Sequence, residues 1–107
     1  MSTADNNMIN GFRMVAQRVL PLGSQVWLYG SRARGNAREE SDWDLLILLN
    51  QESITSRDED AYAYPFVDLG WEHASAVSPQ LYTFDEWKKL SITPFYHNVE
   101  HDKIRIA

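Results

Sequence analysis

The chain has 107 residues, 44% of them apolar, which suffices for the core of one small domain over 1–107 but not for a second lobe that closes over a substrate. Its 15 acidic and 10 basic residues give a net charge of −5, so binding of long DNA or RNA through phosphate neutralisation is not expected. Cysteine is absent, which excludes disulfides and thiolate chemistry. With no leader-like segment and no apolar stretch approaching about 18 residues, we expect a cytoplasmic protein without a membrane span.

The first predicted element is a helix over residues 8–20, which Pro21 ends. Its apolar residues recur at helical spacing, so one face should pack on the rest of the domain. These residues are Met8, Ile9, Phe12, Val15, Ala16, Val19 and Leu20. The candidate caps are Asp5, Asn6 and Asn7.

A buried strand over residues 26–29 is predicted next, and it ends in a tight turn at Gly30. Ser31 then stands where a helix would begin. A serine at that position can cap free backbone N–H groups, and the same N–H groups attract phosphate. Nearby arginines add positive charge to this turn, namely Arg32, Arg34 and Arg38. The turn is therefore a candidate phosphate site.

Residues 43–49 form the second predicted strand, and Asp42 and Asp44 stand at its start. Because side chains alternate along a strand, these two carboxylates should share one face, with Trp43 on the other face in the core. Hard oxygen ligands of this kind suit Mg²⁺, which shares its coordination with water and substrate phosphates. The sequence thus places a candidate metal site beside a candidate phosphate site.

The pattern Gly30-Ser31, ten further residues and Asp42-Trp43-Asp44 resembles the GS-x10-DxD motif of the DNA polymerase β-like nucleotidyltransferase superfamily. The strings GSRARG and SDWDLLILL are similar to its smallest branch, the minimal nucleotidyltransferases. The resemblance implies an α/β (α+β) fold, with helices packed on a small mixed sheet. It also implies Mg²⁺-dependent transfer of a nucleoside monophosphate from an NTP, expected to be ATP, to a hydroxyl acceptor.

By this resemblance, Asp42 and Asp44 are expected to be catalytic and to hold the metal, and a second group of residues is expected to bind the nucleotide. That group is Gly30, Ser31, Arg32 and Arg34. The alternative for the two arginines is an ordinary solvated surface. The tryptophans could stack on a base, but four of them in so small a domain favour core positions.

Residues 56–72 allow two interpretations. Ser56 and Glu59 have the spacing of a capping box, which favours a helix, but Pro65 would interrupt or restart it. In the alternative, the helix ends near Tyr64 and residues 66–71 form a strand. The runs YP-x-x-D, VSPQLYTFDEW and TPFYHNV resemble small bacterial nucleotidyltransferase-domain proteins, and that resemblance favours a helix over residues 62–71.

The remaining elements follow in order. A strand is predicted over residues 74–83, and Pro79 places it at a sheet edge or a bulge. Thr83 and Glu86 form a capping box for a helix over 84–90. Thr93 and Pro94 begin another helix that runs to about residue 100. The alternation in residues 103–106 predicts a final short strand.

The superfamily normally supplies a third carboxylate from a later strand, as a metal ligand and general base. If residues 66–71 form a strand, Asp68 would be that group. If they form a helix, the strand over 74–83 carries no acidic residue, so Asp68 or Glu72 would have to reach in from the helix or the group is missing.

Members of the minimal branch often pair with a small helical protein in toxin–antitoxin fashion and modify it, so such a partner is expected by resemblance. The absence of an obvious third carboxylate favours a rival interpretation. In it, the chain is a regulatory or complex-forming subunit that binds a nucleotide without transferring it.

Overall fold

The computed structural model describes residues 2–107, and a mixed four-stranded sheet organises them. The strands are β1 (Gln25–Tyr29), β2 (Trp43–Leu49), β3 (Val77–Thr83) and β4 (Ile104–Arg105). They lie in the order β3-β2-β1-β4. The pairs β1–β2 and β1–β4 are antiparallel, and β2–β3 is parallel. The predicted strands over 26–29 and 43–49 are therefore confirmed.

Helices cover both faces of this sheet, as expected for an α+β fold. The helices are α1 (Thr3–Val19), α2 (Ser31–Arg34), α3 (Tyr64–Glu72), α4 (Phe84–Lys89) and α5 (Pro94–Asp102). A π-helical turn, Glu59–Ala63, leads directly into α3. Helices α1 and α3 pack on one face, and α4 and α5 contribute to a smaller cluster on the other.

Strand β2 lies between two neighbours and is buried on both faces, which explains its continuous run of apolar residues. On the α1 side, Trp43 meets Phe12 edge to face with ring centroids 5.6 Å apart. On the other side, Leu46 and Leu48 pack with Trp87 of α4. The alternation that turns Trp43 into the main core therefore directs its neighbours Asp42 and Asp44 toward the opposite face.

Helix α1 begins earlier than the predicted residue 8. Its N-cap is Ser2, whose side chain accepts a hydrogen bond from the Asp5 backbone N–H, and not one of residues 5–7. The prediction started at the first apolar repeat, but the serine cap satisfies the helix start well over one turn before the first buried residue, Met8. The C-terminal end, at Val19, lies within one residue of the predicted end.

Residues 64–72 form a helix, so the alternative strand over 66–71 was wrong. The Tyr64 N–H donates to the carbonyl of Glu59, five residues back, and Pro65 occupies the first turn of α3. A proline is tolerated there because its missing N–H would not be needed. The predicted capping pair, Ser56 and Glu59, is not the one found at the start of the helical segment. There, the Asp58 carboxylate accepts a hydrogen bond from the Thr55 N–H.

Strand β3 begins at Val77 and not at residue 74, because Ala74 adopts a positive φ of 53° in the turn that follows α3. It is an edge strand, as Pro79 predicted.

The Thr83–Glu86 capping box and the Thr93 cap are both confirmed. The last strand is shorter than predicted. Trp71 does not join the core and is 69% exposed.

Across residues 2–107, no helix combines the length and the apolar character needed to cross a membrane.

Candidate functional site

The turn between β1 and α2 presses Gly30 against Asp44. Gly30 has φ 75°, and a Cβ added there would lie 2.3 Å from Asp44 Oδ2 and 3.2 Å from its Cγ. The Gly30 carbonyl accepts the backbone N–H groups of Ala33 and Arg34, which fixes the short helix immediately after the turn. Glycine is therefore required twice, once for the backbone conformation and once for the close approach.

Asp42 and Asp44 lie together at the start of β2. Asp44 is the cross-strand partner of Tyr29 in β1 and of Ser78 in β3. The Ser78 hydroxyl donates to Asp42 Oδ2 at 3.2 Å. Asp42 is exposed and Asp44 is partly buried. The structure thus brings together the Gly30 turn and the predicted acidic pair.

The two carboxylates influence each other electrostatically. Partial burial raises the pKa of Asp44, the negative charge of Asp42 raises it further, and the positive charge of Arg34 acts in the opposite direction. Burial, followed by the charge of Asp44 and a contribution from Tyr82, raises the pKa of Tyr29 to about 12. The site therefore carries an excess of negative potential that a cation would relieve.

The donor set fits Mg²⁺, which proteins often bind through one or two carboxylates while water and substrate phosphates complete the coordination. Asp42 and Asp44 supply two such carboxylates. Among residues 2–107, no group of three or more His, Cys, Asp or Glu side chains forms a complete metal cage. This arrangement suits a metal that arrives with a phosphate ligand better than a permanently bound structural ion.

Asp68 and Glu72 are not brought to this pair. Both lie on α3 and line a cavity of about 360 Å³ against α1, beside Met14 and Arg18. That is the face of the sheet opposite to Asp42 and Asp44. The β3 position beside Asp44, where a parallel neighbour could carry another carboxylate, is Ser78.

The two predicted phosphate-binding arginines have different surroundings. Arg34 is 47% exposed, and its Nη1 donates to Asp102 Oδ2 of α5 at 2.7 Å. Arg32 is only 11% exposed, and its Nε and Nη2 donate to backbone carbonyls of the loop before β2. Arg34 therefore keeps N–H groups available beside the acidic pair, whereas the donors of Arg32 are largely used within the protein.

Three residues of the site were missed by the sequence interpretation, namely Tyr29, Ser78 and Asp102. Tyr29 adjoins Asp44 and meets Phe95 of α5 edge to face, with centroids 6.0 Å apart. Strand alternation could have placed Tyr29 and Ser78 on the acidic face. The contact of Asp102 with Arg34 spans 68 residues and has no local signal.

Comparisons with known proteins support the fold and identify the family. A crystal structure of a toxin–antitoxin with AMP-PNP has a similar fold, with a TM-score of 0.68 and 16% sequence identity, over 92% of this chain and 72% of that one. A search of curated proteins found no significant match. The family model of the nucleotidyltransferase domain matches residues 12–105, which run from the second half of α1 to β4. The chain therefore belongs to the nucleotidyltransferase domain family.

Proposed function

We propose that this protein is a Mg²⁺-dependent nucleotidyltransferase that moves a nucleoside monophosphate from an NTP, with ATP as the expected donor, to a hydroxyl acceptor. The observation that carries the proposal is the contact of the Gly30 turn with Asp44, with Asp42 beside it. The family match supports nucleotidyl transfer in general.

Each residue of the site has a role in this reaction. Asp42 and Asp44 hold Mg²⁺, which when bound neutralises phosphate charge and assists ionisation of the attacking hydroxyl. Gly30 lets the Asp44 carboxylate lie against the backbone of the turn, and Ser31 and Arg34 hold the terminal phosphates. These contacts align the α-phosphate with the acceptor.

The chemical step follows from this alignment. The acceptor oxygen forms a bond to the α-phosphorus, the bond from that phosphorus to the bridging oxygen of the β-phosphate breaks, and pyrophosphate leaves. The acceptor proton passes to water, because the described residues bring no third carboxylate to the acidic pair. We expect this step to be slow unless the acceptor is held tightly.

We propose that the acceptor hydroxyl belongs to a small helical partner protein. The fold is similar to that of a toxin–antitoxin with AMP-PNP, which supports a protein partner and an adenine nucleotide as the donor. The small helical character of the partner follows from the resemblance to the minimal nucleotidyltransferases.

A second candidate function is nucleotide binding without transfer, in a regulatory or complex-forming subunit. The observation in its favour is Ser78, a neutral residue that occupies the β3 position beside Asp44 and bonds to Asp42. A site with two carboxylates could keep a metal-bound nucleotide and lack the base that speeds attack.

The test is transfer of label from ATP labelled at the α-phosphate, in Mg²⁺, to a small helical protein whose gene adjoins the gene of this chain. The wild type is compared with Asp44→Ala and with Asp85→Ala, which removes an exposed carboxylate of α4 outside the site. Label should appear with the wild type and Asp85→Ala and disappear with Asp44→Ala. Transfer that persists in Asp44→Ala would contradict the metal assignment. ATP binding without transfer by the wild type would favour the second candidate.

A further inference from the structure

Arg32 connects the helix that follows Gly30 with the loop that leads into Asp42. Its Nε and Nη2 both donate to the Ser41 carbonyl, at 3.1 and 2.8 Å. The same Nη2 lies 3.0 Å from the Glu39 carbonyl and 3.4 Å from the Arg38 carbonyl. One guanidinium therefore holds three carbonyls of the loop.

Two further contacts hold the Arg32 guanidinium. Its guanidinium lies over the Trp43 ring, 4.4 Å from the centroid, and Nη1 is 3.6 Å from Asp5 Oδ1 of α1. With 11% of the side chain exposed, Arg32 is the less accessible of the two arginines that follow Ser31, since Arg34 is 47% exposed. A planar guanidinium presents its donors in a rigid fork while its face lies on a ring, and the compact ammonium of lysine does not reproduce that fork.

These contacts bear directly on Asp42. Ser41, which receives both Arg32 donors, is the residue before Asp42, and the Trp43 N–H on the other side donates to the Ala76 carbonyl. The loop also closes on itself, because the Arg38 N–H donates to the Ser41 hydroxyl. Asp42 is exposed and its carboxylate has one side-chain partner, Ser78. Its position therefore depends on the backbone on either side.

We propose that Arg32 is a positioning residue, which fixes Asp42 beside Asp44 by holding the Ser41 carbonyl and does not itself contact the nucleotide. The inference rests on the proposed metal-binding role of Asp42. It also links the two halves of the site, because Arg32 belongs to the helix that begins at the Gly30 turn. A disturbance of that turn would reach Asp42 through this side chain.

The test compares Mn²⁺ binding, followed by electron paramagnetic resonance, in the wild type, Arg32→Lys and Arg38→Lys. Both variants keep the charge, and Arg38 is an exposed residue of the same loop. Residues that support metal ligands typically change metal affinity 10- to 100-fold. We therefore expect Arg32→Lys to weaken Mn²⁺ binding about tenfold, and Arg38→Lys to leave it within about twofold. Equal affinity in all three proteins would overturn the inference.

Amide hydrogen exchange without metal gives a second measurement on the same variants. Residues 39–42 should exchange faster in Arg32→Lys than in the wild type, while the core strand β2 should not change. Unchanged exchange in the loop would argue that Arg32 does not hold it.

Should Arg32→Lys fail to fold, the wild type alone provides a test, because coupling between two sites is reciprocal. Saturating Mg²⁺ should slow exchange of the Arg32 guanidinium protons, and no change would overturn the inference. If the wild type bound neither Mn²⁺ nor Mg²⁺, the proposed function would fail instead, which is a distinct result.

Discussion

A Cβ at position 30 would lie 2.3 Å from Asp44 Oδ2, so the backbone of the Gly30 turn and the Asp44 carboxylate occupy adjoining space without room for a methyl group. The contact joins Gly30, which binds no metal, to Asp44, which we propose binds a metal ion. Any phosphate held by the turn would therefore lie next to the acidic pair, which is the arrangement that metal-assisted nucleotidyl transfer requires.

Gly30→Ala should abolish metal binding while costing only moderate stability. The backbone at Gly30, with φ 75° and ψ −158°, lies in a region that essentially only glycine adopts, and this costs alanine about 1–3 kcal/mol. The new Cβ would in addition force the Asp44 side chain to turn away, because that flexible carboxylate is its nearest neighbour. The measurements are the free energy of unfolding in denaturant and Mn²⁺ affinity.

Gly35→Ala is the control for a positive φ without the contact. Gly35 has φ 80° and ψ 15°, a left-handed conformation, and a Cβ there would meet no atom within 4 Å. It should lose about 1–2 kcal/mol and keep its metal affinity. Equal metal affinity in both variants would show that the contact between Gly30 and Asp44 is unimportant for the site.

Asp44→Asn should raise the melting temperature at neutral pH in the presence of a chelator. Burial and the charge of Asp42 raise the pKa of Asp44 in the folded protein, so the folded state binds this proton more readily than the unfolded state. Its contribution to stability is therefore fully present below the ordinary aspartate pKa and is lost as the pH rises through the raised value. At neutral pH the charged carboxylate opposes folding, and asparagine removes that charge.

Asp58→Asn should have the opposite effect. The backbone hydrogen bond from Thr55, with a side-chain bond from Gln51, lowers the pKa of Asp58, so its contribution is present at neutral pH and is lost as the pH falls. We expect this variant to melt at a lower temperature than the wild type. A fall in melting temperature for Asp44→Asn as well would contradict the electrostatic description of the acidic pair.

Tyr29 should ionise only at high pH, with a pKa of about 12. Because this value lies above the ordinary tyrosine pKa of about 10, the unfolded state releases the proton first and stability should fall as the pH rises between the two values. Carbon-13 NMR of labelled tyrosine follows each ring separately. Asp44→Asn should lower the pKa of Tyr29, and an ordinary value in the wild type would contradict the effect of burial and of the Asp44 charge at this position.

The sequence predicted elements whose signals are local. The ends of β2 and the caps at Thr83 and Thr93 depend on residues within a few positions of each other, and the structure agrees with all of them. The start of α1 was missed for a local reason too, because the prediction gave weight to the apolar repeat and not to the cap at Ser2.

The sequence could not predict which distant residues meet. Whether Asp68 reaches the acidic pair depends on which face of the sheet α3 covers, and no short pattern encodes that choice. The surroundings of Arg32 and Arg34 were equally hidden, since one binds loop carbonyls and the other binds Asp102 at the far end of the chain. Identical side chains two residues apart thus have different environments.

The most direct test of the central claim is calorimetric titration of a non-hydrolysable ATP analogue into the wild type and into the Asp42→Asn/Asp44→Asn double variant, each with Mg²⁺ and with a chelator. We expect the wild type to bind the analogue in Mg²⁺, and binding to be lost in the double variant and in the chelator. Equal affinity under all four conditions would contradict the claim that Asp42 and Asp44 bind a nucleotide through a metal ion.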